Sequence, residues 1–148
     1  MFVGIGLGTS GVKAILMDET QVVLDSKQAP LEASRPAPGW SEQDPVDWIT
    51  ATSTALAGLA ADNDLSAVRG IGLSGQMHSA TLLDAADTVL RPCILWNDTR
   101  SHVEPAEMDA DPQFRAITGN IVFPGFTAPK VAWSLVRRTW LDRGRAFS

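Results

Sequence analysis

The chain has 148 residues, 45% of them apolar and 20% charged, and carries a net charge of −5. That length suits one domain with its own core, the composition reads as soluble and globular, and the acidic balance argues against a nucleic-acid partner. No apolar run reaches the ~18 residues of a membrane span, the N-terminus lacks the basic start and apolar core of a signal peptide, and the lone Cys93 excludes an intrachain disulfide and a cysteine-based zinc site, which fits the cytoplasm.

Phe2 to Ile5 is short, apolar and followed by glycines, which predicts a buried first strand. Val12 to Met17 is a second apolar run, interrupted by Lys13, and Gln21 to Ser26 carries Val22, Val23 and Leu24 after an Asp18-Glu19-Thr20 turn. Three successive strands with tight connections predict a β-meander. Pro30 to Gly39, with three prolines and a glycine, predicts loop, continued by Trp40-Ser41-Glu42-Gln43. Asp44-Pro45 opens a helix, with Asp44 as cap, Pro45 in the first turn and Asp47 near the positive end. Its expected apolar face is Ile49, Leu56, Leu59 and Ala60, and it fades by Asp62-Asn63-Asp64.

Val68 to Ser74 predicts a buried strand, and Ala80 to Leu83 another. After a turn at Asp84 to Asp87, Val89 to Trp96 predicts a strand whose Pro92 marks an edge or a bulge. Glu104 to Met108 and Gln113 to Ile117 are short helical candidates. Thr127-Ala128-Pro129 predicts a cap before a helix through Val131, Leu135 and Val136. Arg137, Arg138, Arg143 and Arg145 place four of the twelve basic residues in the last dozen positions, as a solvated helix face or a tail outside the fold. A meander followed by a helix and more strands predicts an α/β fold with a mixed sheet.

Three stretches put polar residues at expected strand ends, where open α/β sheets bind ligands. These are Gly4 to Gly11, Gly75-Gln76-Met77-His78 and Leu95 to Arg100, and together they suggest one cleft. Gly6-Leu7-Gly8-Thr9-Ser10-Gly11 matches the dinucleotide fingerprint G-x-G-x-x-G. That reading requires a helix after the glycines, and Val12 to Met17 is too short and too β-like for one. The competing reading is a phosphate-holding hairpin, with close backbone approach at Gly8 and Gly11, hydroxyl donors on Thr9 and Ser10, and the charge of Lys13. A glycine hairpin without a ligand stays open beside it. The bland alternatives elsewhere are a structural His78 and a strand-end turn with a packed Trp96.

These segments together resemble the FGGY carbohydrate kinases, which share the actin-like ATPase (ribonuclease H-like) fold. Phe2 to Lys13 is similar to the family's first phosphate hairpin, Pro38-Gly39-Trp40-Ser41-Glu42-Gln43-Asp44-Pro45 to its loop before the first helix, and Gly75-Gln76-Met77-His78 to its sugar-binding turn. Leu95-Trp96-Asn97-Asp98 and Gly125-Phe126-Thr127-Ala128-Pro129-Lys130 also match, so the likeness covers residues 1 to 133. The segment 134 to 148, rich in arginine, is then a further helix or a tail foreign to the family.

The resemblance implies ATP- and Mg²⁺-dependent phosphorylation of D-xylulose, the activity of the xylulose-phosphorylating members. It implies sugar contacts from Gln76, Met77 and His78, with Trp96, Asn97 and Asp98 lining the same site, and ATP phosphate contacts from Gly8, Thr9, Ser10, Gly11 and Lys13. The family's catalytic aspartate falls beyond residue 148, so this stretch alone is expected to be inactive, a truncated N-terminal domain with no catalytic residue. Gly6 stands where the family carries an aspartate that helps to organise Mg²⁺, so no metal ligand is expected here. The alternative is a non-catalytic sugar-binding or interaction module, which could form a homo-oligomer.

Overall fold

A computed structural model describes residues 1–137. In chain order the elements are β1 (Phe2–Leu7), β2 (Gly11–Met17), β3 (Val23–Pro30), β4 (Glu42–Gln43), α1 (Pro45–Asp62), β5 (Ile71–Gly75), β6 (Cys93–Ile94), α2 (Glu104–Asp109), α3 (Pro112–Thr118) and α4 (Thr127–Arg137). The described residues fall into two compact units, the first from residues 1–33 and 44–76, the second from 34–43 and 77–137.

The first unit is a four-stranded mixed sheet in the order β3-β2-β1-β5. The β1-β2-β3 meander is antiparallel, and β5 pairs with β1 in parallel, from Val3 opposite Ile71 to Leu7 opposite Gly75. Asp18 shapes the second connection: its Oδ1 accepts the amides of Thr20 at 2.8 Å and Val22 at 3.0 Å. Strand alternation puts Val3, Ile5, Val12, Ala14, Leu16 and Ala29 on one face, where they pack against Ala51, Ala55 and Leu59 of α1. Asp44 caps that helix, its Oδ1 accepting the Val46 amide at 2.9 Å.

Three expectations in this unit need correction. The third strand runs on to Pro30, which an edge strand tolerates. The buried face of α1 is Ala51, Ala55 and Leu59, whereas Ile49 and Ala60 are exposed. Ile49 lies about 200° round the helix from Ala51, and small residues at four-residue spacing let the helix settle closely on the sheet. The strand β5 is not buried: Ile71 is 62% and Leu73 79% exposed. It lies one strand beyond β1, while α1 packs mainly on β2 and β3.

In the second unit, β4 pairs antiparallel with β6, so the expected loop at 40–43 contains a short strand. Ala80 to Leu83 forms no regular strand. It makes two isolated bridges, Ala80 to Ile94 and Leu83 to Val89, and the returning run is ordered as strand only at Cys93–Ile94, just after Pro92, which has no amide to donate. Asp84 accepts the amides of Ala86 and Thr88 and closes the turn between them. The two short helices form close to where they are expected, α3 being capped by Asp111 and ended by Gly119 at φ +67°. In α4, Thr127 is the first helical residue rather than the cap. The buried face is Pro129, Lys130, Trp133 and Ser134, leaving Leu135 and Val136 exposed. Arg137 ends α4, and Arg138, Arg143 and Arg145 lie outside the described residues. No described helix is long and apolar enough to cross a membrane.

Candidate sugar and phosphate sites

In the first unit the turn Gly8 to Gly11 joins β1 to β2, closed by the Gly8 amide donating to the Gly11 carbonyl at 2.9 Å. Gly11 is required by close approach, since a Cβ there would come within 2.8 Å of the Ala29 carbonyl oxygen. Because the chain leaves this turn as a strand, the helix N-terminus of a dinucleotide site is absent at that place. The Thr9 hydroxyl donates to Gln76 Oε1 at 3.1 Å, at the point where β1 and β5 end side by side. Gln76 therefore belongs with the hairpin, in the first unit, while Met77 and His78 belong to the second.

On the sheet face opposite α1, Gly4, Gly6, Gly72, Ser74 and Lys13 line a shallow cavity of about 340 Å³. A Cβ built on Gly6 would have only the Lys13 carbonyl near it, at 3.9 Å, so there is room for a side chain where glycine stands. Among the described residues, no three His, Cys, Asp or Glu side chains come together as a metal site. Gly6 itself gives a magnesium ion no side-chain oxygen, and such an ion is held by one or two carboxylates together with phosphate oxygens.

In the second unit a cavity of about 410 Å³ is lined by His78, Trp96, Asn97, Asp98, Phe123 and Phe126, among others. Its size falls in the range of small-molecule pockets. His78 sits at φ +63°, a left-handed conformation uncommon outside glycine and frequent at ligand sites. Its imidazole stacks on Phe126, with ring centroids 4.6 Å apart and planes at 30°. The Oδ1 of Asn97 is buried without a hydrogen-bond partner, an acceptor that a ligand hydroxyl would satisfy. Trp96 is about half exposed at the same turn, and Met77 is 69% exposed and does not line the cavity.

Asp98 is fully engaged. Its Oδ1 accepts from Arg100 Nε at 2.8 Å and from the Arg100 amide at 2.9 Å, and its Oδ2 from Arg100 Nη2 at 2.6 Å and from the Ser41 amide at 2.5 Å. The resemblance offered Asp98 as a residue lining the sugar site; it lines the His78 cavity and also anchors the 95–100 turn. Glu42 takes the other side of the Arg100 guanidinium at 2.5 Å and also pairs with Arg91. The guanidinium lies 3.8 Å over the Trp40 ring, and Trp40 meets Trp133 edge-on at 5.5 Å. Gly39, at φ +76°, accepts the Thr99 amide at 2.9 Å, and a Cβ there would collide with the Thr99 hydroxyl. The Pro38-Gly39-Trp40 segment thus serves to hold the Asn97-Asp98 turn.

Lys130 is 0% exposed. Its ammonium donates to the carbonyls of Gly125 at 2.5 Å, Phe126 at 3.1 Å and Pro124 at 3.4 Å. Burial pushes it down to about 8, with Arg100 acting in the same direction and Asp98 and Cys93 against it. Burial likewise pushes the Cys93 thiol up. Sequence reasoning passed over Phe126, Lys130, Arg100 and Glu42 as site residues. Phe126, Lys130 and Glu42 were visible only as members of matching motifs, and Arg100 only as the last residue of the 95–100 stretch. His102 is exposed just before α2 and lines no part of the His78 cavity.

The family model for the "FGGY family of carbohydrate kinases, N-terminal domain" matches residues 1–138. The chain is 52% identical over 134 residues to the xylulose kinase of Escherichia coli strain K12, and 54% identical to that of Klebsiella pneumoniae. Each alignment covers 90% of this chain and 28% of the relative, so the chain spans under a third of these proteins' length. Among solved structures, a xyloylose kinase from Brucella ovis superposes with a TM-score of 0.90 at 63% identity, covering 93% of this chain and 30% of that one. The xylulose kinase of Rhodospirillum rubrum gives 0.83 at 31% identity, with the same coverage.

Proposed function

The chain belongs to the FGGY family of carbohydrate kinases, and from that premise we propose that it carries the sugar-recognition part of a D-xylulose kinase. The observation that carries the reading is the His78 cavity. An imidazole held in a left-handed turn and stacked on Phe126 lines the same cavity as Asn97, whose Oδ1 is buried without a hydrogen-bond partner. A ketose presents hydroxyls and a carbonyl, which an imidazole can bond as donor or acceptor and an amide oxygen can accept from. Trp96 and the phenylalanines offer apolar walls to the sugar's carbon face, and Met77, beside them on the surface, is available to a ligand larger than the cavity.

ATP supplies the phosphoryl group in such an enzyme. The turn residues Gly8 to Gly11 and the Lys13 ammonium fit a phosphate by backbone approach and charge, with Thr9 oriented by Gln76. No step is assigned to Mg²⁺ on this chain, because Gly6 offers it no side-chain oxygen. Phosphoryl transfer rests on positioning and charge neutralisation, and no described carboxylate is both unengaged and placed to take the sugar's proton. We therefore assign this chain binding without turnover. Its one cysteine, buried and reduced, fits the cytoplasm.

A second reading, a non-catalytic module that binds another protein surface, is favoured by the bare Gly6 and by the exposed β5. Titration calorimetry with D-xylulose tests the first reading. Binding is expected, weakened about tenfold in His78→Ala as for a lost hydrogen bond and ring contact. No binding by a folded sample, or equal binding by the variant, overturns it. D-xylulose-dependent ADP release would overturn the assignment of binding without turnover.

A further inference from the structure

We propose that Lys130 is a positioning residue for sugar binding: its buried ammonium gathers the carbonyls of Pro124, Gly125 and Phe126 and so sets the Phe126 ring against the His78 imidazole. The inference rests on the reading of the His78 cavity as the sugar site.

Three carbonyl dipoles aimed at one point repel one another unless a cation lies between them. Lys130 supplies that cation from the first turn of α4, and among the described residues no carboxylate bonds to it. The loop it gathers is tightly seated at both ends. At Gly125 a Cβ would stand 3.2 Å from the Trp96 carbonyl oxygen, and the Phe126 amide donates to the Phe123 carbonyl at 2.9 Å. The Phe126 ring therefore has its place fixed by backbone that Lys130 holds. His78 is already constrained at φ +63°, so the remaining freedom of its imidazole is ring rotation, which the stacked phenyl limits. The charge is also conditional. Burial has pushed Lys130 down to about 8, so mild alkali removes it, and a neutral amine has two N–H donors for three acceptors. The charged and titratable neighbours are Asp98, Arg100 and Cys93. Burial raises the Cys93 thiol, which therefore stays protonated at pH 8.

Two measurements at constant neutral pH test the proposal on this chain. One is the ring-current displacement of the His78 imidazole protons by NMR, and the other is D-xylulose affinity by calorimetry. Lys130→Met, shown to be folded by circular dichroism, is expected to lose the displacement and to bind the sugar about tenfold more weakly. Phe126→Leu, with Lys130 intact, is expected to do the same. A folded Lys130→Met with unchanged His78 resonances overturns the proposal, and so does unchanged sugar affinity. If Lys130→Met does not fold, a pH titration of the unaltered chain decides. The Gly125 amide and Phe126 ring signals should then move together with a midpoint at about 8, and signals that stay still up to pH ~9.5 overturn the proposal. Should the parent chain bind no D-xylulose, the sugar reading fails, while the NMR comparison still decides whether Lys130 sets the His78 ring.

Discussion

Asp98 and Arg100 carry opposite charges at almost no exposure, and each is the other's main partner. Removing Asp98 leaves the buried Arg100 with Glu42 as its one charged partner among the described residues and strands the Nε and Nη2 donors, which costs more than the pair contributes in its intact form. Asp98→Asn is therefore expected to destabilise the chain by about 3–5 kcal/mol, read as a lower urea midpoint with unchanged slope. A loss below about 1 kcal/mol would mean that water reaches Arg100. Lys130 has the reverse character. Its native pKa lies below the ordinary lysine value, so between about 8 and 10.5 the unfolded chain binds more protons than the native one. Its contribution to stability accordingly rises with pH across that window and is lowest below about 8. The same protonation that costs stability holds the loop at Phe126, so sugar affinity should fall over the pH range in which this residue's stability contribution grows. Calorimetry and urea titrations at pH values on either side of 8 would separate the two trends.

The helix α1 shows how an element can be placed by its smallest residues. Pattern alone favours Ile49 as a core position, yet Ala51, Ala55 and Leu59 face the sheet. A helix can approach a flat sheet closely only where its side chains are short, and the bulk of Leu16 and Val12 already fills the space below. Leu59→Ala is expected to cost about 2–5 kcal/mol, against under about 0.5 kcal/mol for Ile49→Ala. Equal losses would restore the face that the sequence suggested. The short β4–β6 pair works differently, for its neighbours are charges and indoles rather than aliphatic side chains. Specific pairs of that kind define one geometry for the Asn97-Asp98 turn.

Over the whole molecule, apolar surface is unevenly covered. The β5 edge exposes Ile71 and Leu73, and an uncovered edge strand offers unpaired backbone groups to another chain. The chain alone is expected to self-associate as its concentration rises, and Leu73→Lys to suppress this, as light scattering would show. A monomer at all concentrations would mean that the edge is protected in solution. The unequal span of the comparisons belongs to the same scale. They cover nine-tenths of this chain but under a third of each relative.

Local features were legible without coordinates. The β1-β2-β3 meander, the Asp44 cap and the turns at Asp18 and Asp84 each depend on residues a few positions apart, and the FGGY likeness rests on short motifs in a fixed order. Failure of the dinucleotide reading was legible too, since a β-like run after the glycines cannot form the helix it needs. What only the tertiary structure decided lies between distant residues. Glu42 finds Arg100 across 58 positions, and Ser41 finds Asp98 across 57. That pairing makes Asp98 an anchor of the 95–100 turn, and the Thr9 hydroxyl reaches Gln76 across 67 positions. Burial of β5 likewise depended on how far α1 reaches over the sheet. Sequence fixes which groups are present and what local backbone they favour, but the partner of a charge or a ring is chosen by packing, which brings together groups that no local pattern connects.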